Sequence, residues 1–108
     1  LIAIITNDGW WKNTAGYKQH FQYARLRAIE QRKSIIRSAN TGISGVINVR
    51  GEVLQKSLWN EAVCLKAKVN INSATTFYNQ FGDYIGRLSV FIAAMLVIVA
   101  FVNQRLRK

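Results

Sequence analysis

The chain opens on an unbroken apolar run, residues 1–5, and turns polar at Thr6, Asn7 and Asp8. A short run rich in β-branched residues and stopped by turn formers predicts a strand buried on both faces. Residues 7–16 mix Asn, Asp and Gly with the adjacent Trp10 and Trp11, which predicts a loop. From 17 to 33 the period becomes helical. Tyr17, Phe21, Ala24, Ala28 and Ile29 share one stripe, while Arg25, Arg32 and Lys33 lie off it. The basic residues at its end suit the negative pole of a helix. Short β-like segments follow at 34–39, 43–49 and 52–58, with turns at 40–42 and 50–51. Residues 62–69 alternate, with Val63, Leu65, Ala67 and Val69 on one face and Cys64, Lys66 and Lys68 on the other. That predicts a half-exposed strand. A polar-aromatic connector, 70–84, leads into a last apolar run.

That run, 88–102, carries no charge, and only Ser89 in it is polar. A membrane-spanning helix needs about 20 residues. Tyr84, Ile85 and Gly86 extend the run at one end, and Arg87 can reach outward along its aliphatic stem. The run lacks a polar stripe and ends in basic residues, which favours a membrane span over a buried core helix. We place the transmembrane helix at 85–105. Arg105, Arg107 and Lys108 follow it and favour the cytoplasmic side for the tail 106–108. Residues 1–84 would then be external or periplasmic.

Composition narrows this further. The chain has 108 residues, half of them hydrophobic, with 15 Lys+Arg against 5 Asp+Glu. It is one domain or part of one, and not a disordered basic tail. It begins at Leu1, inside an apolar run, and so reads as a piece of a longer protein. One Cys excludes an internal disulfide and a multi-Cys zinc site, and one His excludes paired-His metal motifs. No metal and no cofactor are expected. The cations are scattered, without the interleaved stacking aromatics of a nucleic-acid surface. The charge fits anionic lipid head groups instead, with the membrane as partner and no nucleic acid.

Strand, loop, helix and further strands make an α/β layout, but one whose first strand has too few neighbours in the sequence. Its C-terminal end is where α/β sheets place ligand crevices, so the 7–11 loop is the leading site candidate. Trp10 and Trp11 would form an apolar wall, with Asn7 and Asp8 fixing backbone or substrate groups; an Asx-turn carrying core tryptophans fits the pattern equally. His20 has no acid or nucleophile beside it in sequence, which favours a structural hydrogen bond over general-base work. Arg27 and Glu30, three apart, predict a helix ion pair, here expected to be buried. Cys64 has Lys66 and Lys68 nearby but no base, which favours a packing or surface thiol over a nucleophile.

Three strings carry a resemblance. Ile5-Thr6-Asn7-Asp8-Gly9-Trp10-Trp11, the segment Gln19 to Glu30 ending in Arg27-Ala28-Ile29-Glu30, and Arg37-Ser38-Ala39-Asn40-Thr41-Gly42-Ile43-Ser44 resemble the C-terminal part of the carbon–nitrogen hydrolase (nitrilase) superfamily. The Asn-Asp-Gly-Trp-Trp loop, the connector Thr76-Phe77-Tyr78 to Phe81-Gly82-Asp83-Tyr84 and the terminal apolar run narrow the resemblance to the apolipoprotein N-acyltransferase family. The resemblance implies an αββα sandwich, with this chain its C-terminal part and one transmembrane helix after it. It implies acyl transfer from a phospholipid to the N-terminal amine of a diacylglyceryl-cysteine lipoprotein, through a thioester on a Glu-Lys-Cys triad. That triad would lie upstream of residue 1, leaving this chain inactive by itself. The residues that match the family's pocket wall are Asn7, Asp8, Trp10, Trp11 and His20; Arg27, Glu30, Asn40, Thr41 and Gly42 match structural positions near it. Lys12, Ala15 and Asn48-Val49-Arg50-Gly51 depart from the family pattern, which usually has Gly, Pro and Asp-Pro-x-Gly there. A membrane-tethered amidase or nitrilase, and a non-catalytic basic membrane-anchored module, are the competing readings.

Overall fold

A computed structural model describes residues 1–106. The strands are β1 (Ile2–Thr6), β2 (Ile35–Ala39), β3 (Gly45–Ile47) and β4 (Val53–Lys56), in one sheet of order β1-β2-β3-β4. Parallel strands cannot be joined by a tight turn. Helix α1 (Ala15–Gln31) therefore makes the crossover from β1 to β2, which run parallel with Ile2 opposite Ile35 and Ile4 opposite Arg37. The later pairs are antiparallel. The β3–β4 turn is held by Asn48, whose side-chain oxygen accepts from the backbone of Arg50 and Glu52, with Gly51 at φ 79°. Asn48 thus closes the turn at 48–51 without a proline.

Residues of the helical stripe bury themselves against one face of the sheet. Phe21, Ala24 and Ala28 pack on Ile35 and Ile47, with Ile2, Ile4, Ile43 and Val53 around them. The small alanines let the helix approach the sheet closely. Thr14 caps the helix start, and Arg32 ends it in the left-handed conformation at φ 51°. The helix therefore begins and ends about two residues before the 17–33 expected from periodicity.

Several expectations are corrected. β1 is not buried on both faces: it has one neighbour, and its burial alternates, with Ile5 90% exposed on the side away from α1. Residues 62–69 do not form a strand. They lie across the sheet face opposite α1, with Val63, Leu65, Ala67 and Val69 lining a half-open groove of about 620 Å³ over Ala3 and Ile36. Alternation records only that one side of the segment is apolar; here that side faces a sheet surface instead of pairing along an edge. The Arg27–Glu30 pair exists, at 2.7 Å, but its arginine is 61% exposed. Among the described residues there is one sheet with one helix packed on it, so the α/β class holds, while the expected sandwich would need layers beyond these residues.

The connector contains a short helix, α2 (Phe77–Phe81), capped by the Thr76 side chain. Helix α3 (Tyr84–Leu106) follows, with 23 residues and no buried side chain. At 1.5 Å per residue it is about 34 Å long, against a hydrocarbon core of about 30 Å. It is long and apolar enough to cross a membrane. Of the tail expected at 106–108, Arg107 and Lys108 lie outside the described residues.

Candidate functional site

The end of β1 delivers Asp8 into the space between the sheet and the first turns of α1. A carboxylate removed from water requires charged or hydrogen-bonding partners. Asp8 is fully buried, and its Oδ2 accepts from Arg37 Nη2 at 2.6 Å. Its Oδ1 lies 2.8 Å from His20 Nδ1 and accepts from Thr6 Oγ1 at 3.3 Å. Because an ionised carboxylate only accepts, the imidazole donates from Nδ1, which leaves Nε2 pointing away from the pair.

Arg37 comes from the helix-facing side of β2, and its side chain is 1% exposed. Its other nitrogens are also used: Nε donates to the Ile43 carbonyl at 3.2 Å and Nη1 to the His20 carbonyl at 3.3 Å. The guanidinium carbon sits 5.9 Å from the centre of the Phe21 ring. Among the described residues no buried side-chain polar atom lacks a partner. The cluster joins β1, α1, β2 and the turn after β2, and so fixes where the loop between β1 and α1 can go.

Backbone contacts hold that loop on its other side. Asp8 N donates to Thr41 O at 2.8 Å, and Asn40 N to Thr6 O at 3.0 Å. Gly42 has φ 134°, and a Cβ there would run into the Asp8 carboxylate. The Asn40-Thr41-Gly42 turn thus packs directly on the buried acid, and glycine is required twice over, by conformation and by space. Asn7 accepts from Gly9 N at 3.0 Å and turns the chain into a single 3-10 turn, Gly9–Trp11. Trp11 then packs edge-on against His20, with ring centres 5.1 Å apart, and covers Gly16. Trp10 projects into solvent, 87% exposed.

Of the residues singled out from sequence, Asp8, His20, Trp11, Thr41 and Gly42 are brought together here. Asn7 shapes the loop, and Asn40 contributes its backbone. Arg27 and Glu30 are not part of the cluster; they pair on the helix surface, where the bond to Glu30 raises the Arg27 guanidinium pKa. Trp10 does not line the cluster either, and it presents an unpartnered indole. Arg37 was missed as a site residue. The signal for it in the sequence is its alternation with Ile35, which puts a cation on the strand face that packs against α1 and so demands a buried anion. Cys64 is exposed and stands by the apolar groove on the other sheet face, whose lining among the described residues holds no Asp, Glu or His.

Chemically, the cluster is a rigid mount for a loop carrying an exposed aromatic. It contains no thiol or amine, and its Thr6 hydroxyl donates to Asp8. Among the described residues there is no group of three His, Cys, Asp or Glu placed to hold a metal ion.

No family model matches the chain. Curated relatives do. Apolipoprotein N-acyltransferase of Chlorobaculum tepidum is 35% identical over 105 residues, 97% of this chain and 20% of the relative. The enzyme of the same name from Geobacter metallireducens is 36% identical over 102 residues, covering 94% of this chain and 19% of the relative. That of Haemophilus ducreyi is 40% identical over 84 residues, 78% of this chain and 17% of the relative. The chain spans about a fifth of the length of these relatives. Similarity over 94–97% of this chain runs through the loop, the crossover helix, the sheet and the apolar helix together, so that along its whole length the chain is similar to about a fifth of the apolipoprotein N-acyltransferases.

Proposed function

We propose that this chain belongs to an enzyme that moves an acyl chain from a phospholipid to the N-terminal amine of a diacylglyceryl-cysteine lipoprotein. The supporting observation is the 35% identity to a protein named apolipoprotein N-acyltransferase across 97% of the chain, including the helix suited to a membrane. In this reading residues 1–84 stand on the external or periplasmic side as the C-terminal part of a nitrilase-like sandwich. Helix α3 anchors them in the inner membrane, with the C-terminus cytoplasmic.

The chain's own contribution is positional. Asn7, Trp10, Trp11 and His20 form one wall of the acyl pocket, with Asp8 buried behind them. The buried Asp8–Arg37 pair holds the loop, and the exposed Trp10 indole offers apolar surface to a lipid chain. A loop held without freedom costs little further ordering when substrate arrives. The nucleophile comes from outside this chain, since Cys64 has no base next to it.

The test is to supply the full-length enzyme with phospholipid carrying a labelled acyl chain and with a diacylglyceryl-cysteine peptide. Label should appear on the peptide amine, and should do so equally when Cys64 is replaced by Ser. Release of the label to water with none on the amine would make the protein a hydrolase. A hydroxylamine-sensitive label on Cys64 would overturn the assignment of roles within the chain.

A further inference from the structure

The end of the domain next to the membrane helix has a surface that the acyl-transfer reading leaves unassigned. Helix α2 and the first turn of α3 present Phe77, Phe81 and Tyr84. Their rings pack on one another, with Phe77 centred 4.4 Å from Phe81 and 5.0 Å from Tyr84. Even so, Phe77 is 59% and Phe81 52% exposed. Aromatic rings that meet each other but remain open, directly before an apolar helix, match the belt that aromatics form at a bilayer–water boundary.

The connector ties a distant part of the domain to the same place. Thr76 Oγ1 donates to the Glu30 carbonyl at 2.7 Å, and Asn72 Nδ2 to the Arg32 carbonyl at 3.2 Å. Tyr78 on α2 lies close enough to Arg27 to help raise its pKa, after the larger effect of Glu30. The C-terminal end of α1 is thereby held beside α2, and it brings Arg27, Arg32 and Lys33, with Arg87 one turn into α3. The carboxylates in the same region are Glu30, already paired with Arg27, and Asp83, which caps the Gly86 amide at 2.9 Å. Cations exceed free carboxylates on this surface.

We infer that the α1 C-terminus and α2 form a single docking surface for an anionic phospholipid bilayer, with Phe77, Phe81 and Tyr84 at the boundary and Arg27, Arg32 and Lys33 among the head groups. Covalent continuity with α3 sets the occupant: a helix that crosses the bilayer from Tyr84 onward places α2 at its surface. This rests on α3 being membrane-spanning, and is otherwise separate from the acyl-transfer reading. Just past the end of α1 it asks for contact from Lys33, 51 residues before Tyr84 in sequence, which the crossing alone does not require.

The experiment uses the full-length protein with every native cysteine, Cys64 among them, replaced by serine and one new cysteine carrying an environment-sensitive fluorophore, at Lys33→Cys or at Met95→Cys. It is reconstituted in phosphatidylcholine vesicles with or without phosphatidylglycerol, and with nitroxides either on the lipid head group or deep on the acyl chain. The Met95 label should be quenched by the deep nitroxide. The Lys33 label should be quenched by the head-group nitroxide, about twofold more when phosphatidylglycerol is present, and Arg27→Gln with Arg32→Gln should remove that increment. If the Met95 label is quenched and the Lys33 label responds no more than free fluorophore in the bulk, α3 crosses and the docking surface does not exist. A Lys33 label shielded from both nitroxide and aqueous iodide would mean that protein covers the surface, which also overturns it. An unquenched Met95 label removes the membrane helix and this inference together, whatever the acyl-transfer assay shows.

Discussion

Replacing Asp8 by Ala is the most informative perturbation of the cluster. The carboxylate is fully buried and meets Arg37 at 2.6 Å and His20 at 2.8 Å. Its removal leaves the Arg37 guanidinium, 1% exposed, without an anion. Losing one partner of a buried ion pair is destabilising by about 3–5 kcal/mol, mostly because the remaining charge stays out of water. Against a total stability of about 5–15 kcal/mol this is a large fraction. Asp8→Ala should therefore lower the urea midpoint of unfolding, read by tryptophan fluorescence. In the full-length protein it should also slow the proposed acyl transfer at least about tenfold, equivalent to about 1.4 kcal/mol of barrier, since the loop loses its mount. Arg37→Met should destabilise comparably, because Asp8 is then the stranded charge. The double variant replaces the pair with apolar groups and should lose less than the sum of the single losses, by at least about 2 kcal/mol, within the range of measured couplings between contacting residues. If the single losses are below about 1 kcal/mol, or add to within about 0.5 kcal/mol, the buried pair is not what holds the loop.

The remaining expectations concern the loop, its turn, the helix surface and topology. Trp10→Ala, at an indole 87% exposed, should leave stability within about 0.5 kcal/mol yet cost the full-length protein about tenfold in the proposed acyl transfer; full activity in a normally folded variant would make the loop purely structural. Gly42→Ala should cost at least about 1–3 kcal/mol, because its φ of 134° disfavours a side chain and the new Cβ meets Asp8; an unchanged melting temperature would refute this. Glu30→Gln should change stability by no more than about 0.5 kcal/mol, since its exposed partner is solvated; an effect of several kcal/mol would show the pair to be buried in the assembled protein. A C-terminal reporter active only in the periplasm should stay silent, and a strong signal would reverse the proposed orientation.

How much of the fold and the site is legible in the sequence differs from element to element. Local regularities are readable because their causes are local. The stripe Tyr17, Phe21, Ala24 and Ala28 specifies both a helix and the face it buries, and the tertiary structure uses that face. The uncharged run 88–102 sits inside α3 because an apolar sequence that long has no better way to satisfy its backbone than a helix. Aspartate, histidine and the tryptophans can be picked out as chemically unusual and placed near the end of a strand. What the sequence does not supply is who meets whom. Arg37 lies 29 positions from Asp8, and nothing at short range pairs them; the parallel register of β1 and β2, with Ile4 opposite Arg37, does. The alternation at 62–69 marks an apolar side correctly but does not distinguish pairing along a sheet edge from lying across a sheet face, since both turn every second residue toward apolar surface. Likewise the apolar run 1–5 promises a doubly covered strand. Coverage depends on which elements lie on each side: among the described residues β2 is the one strand paired with β1, and the segment 62–69 over its far face leaves Ile5 90% exposed.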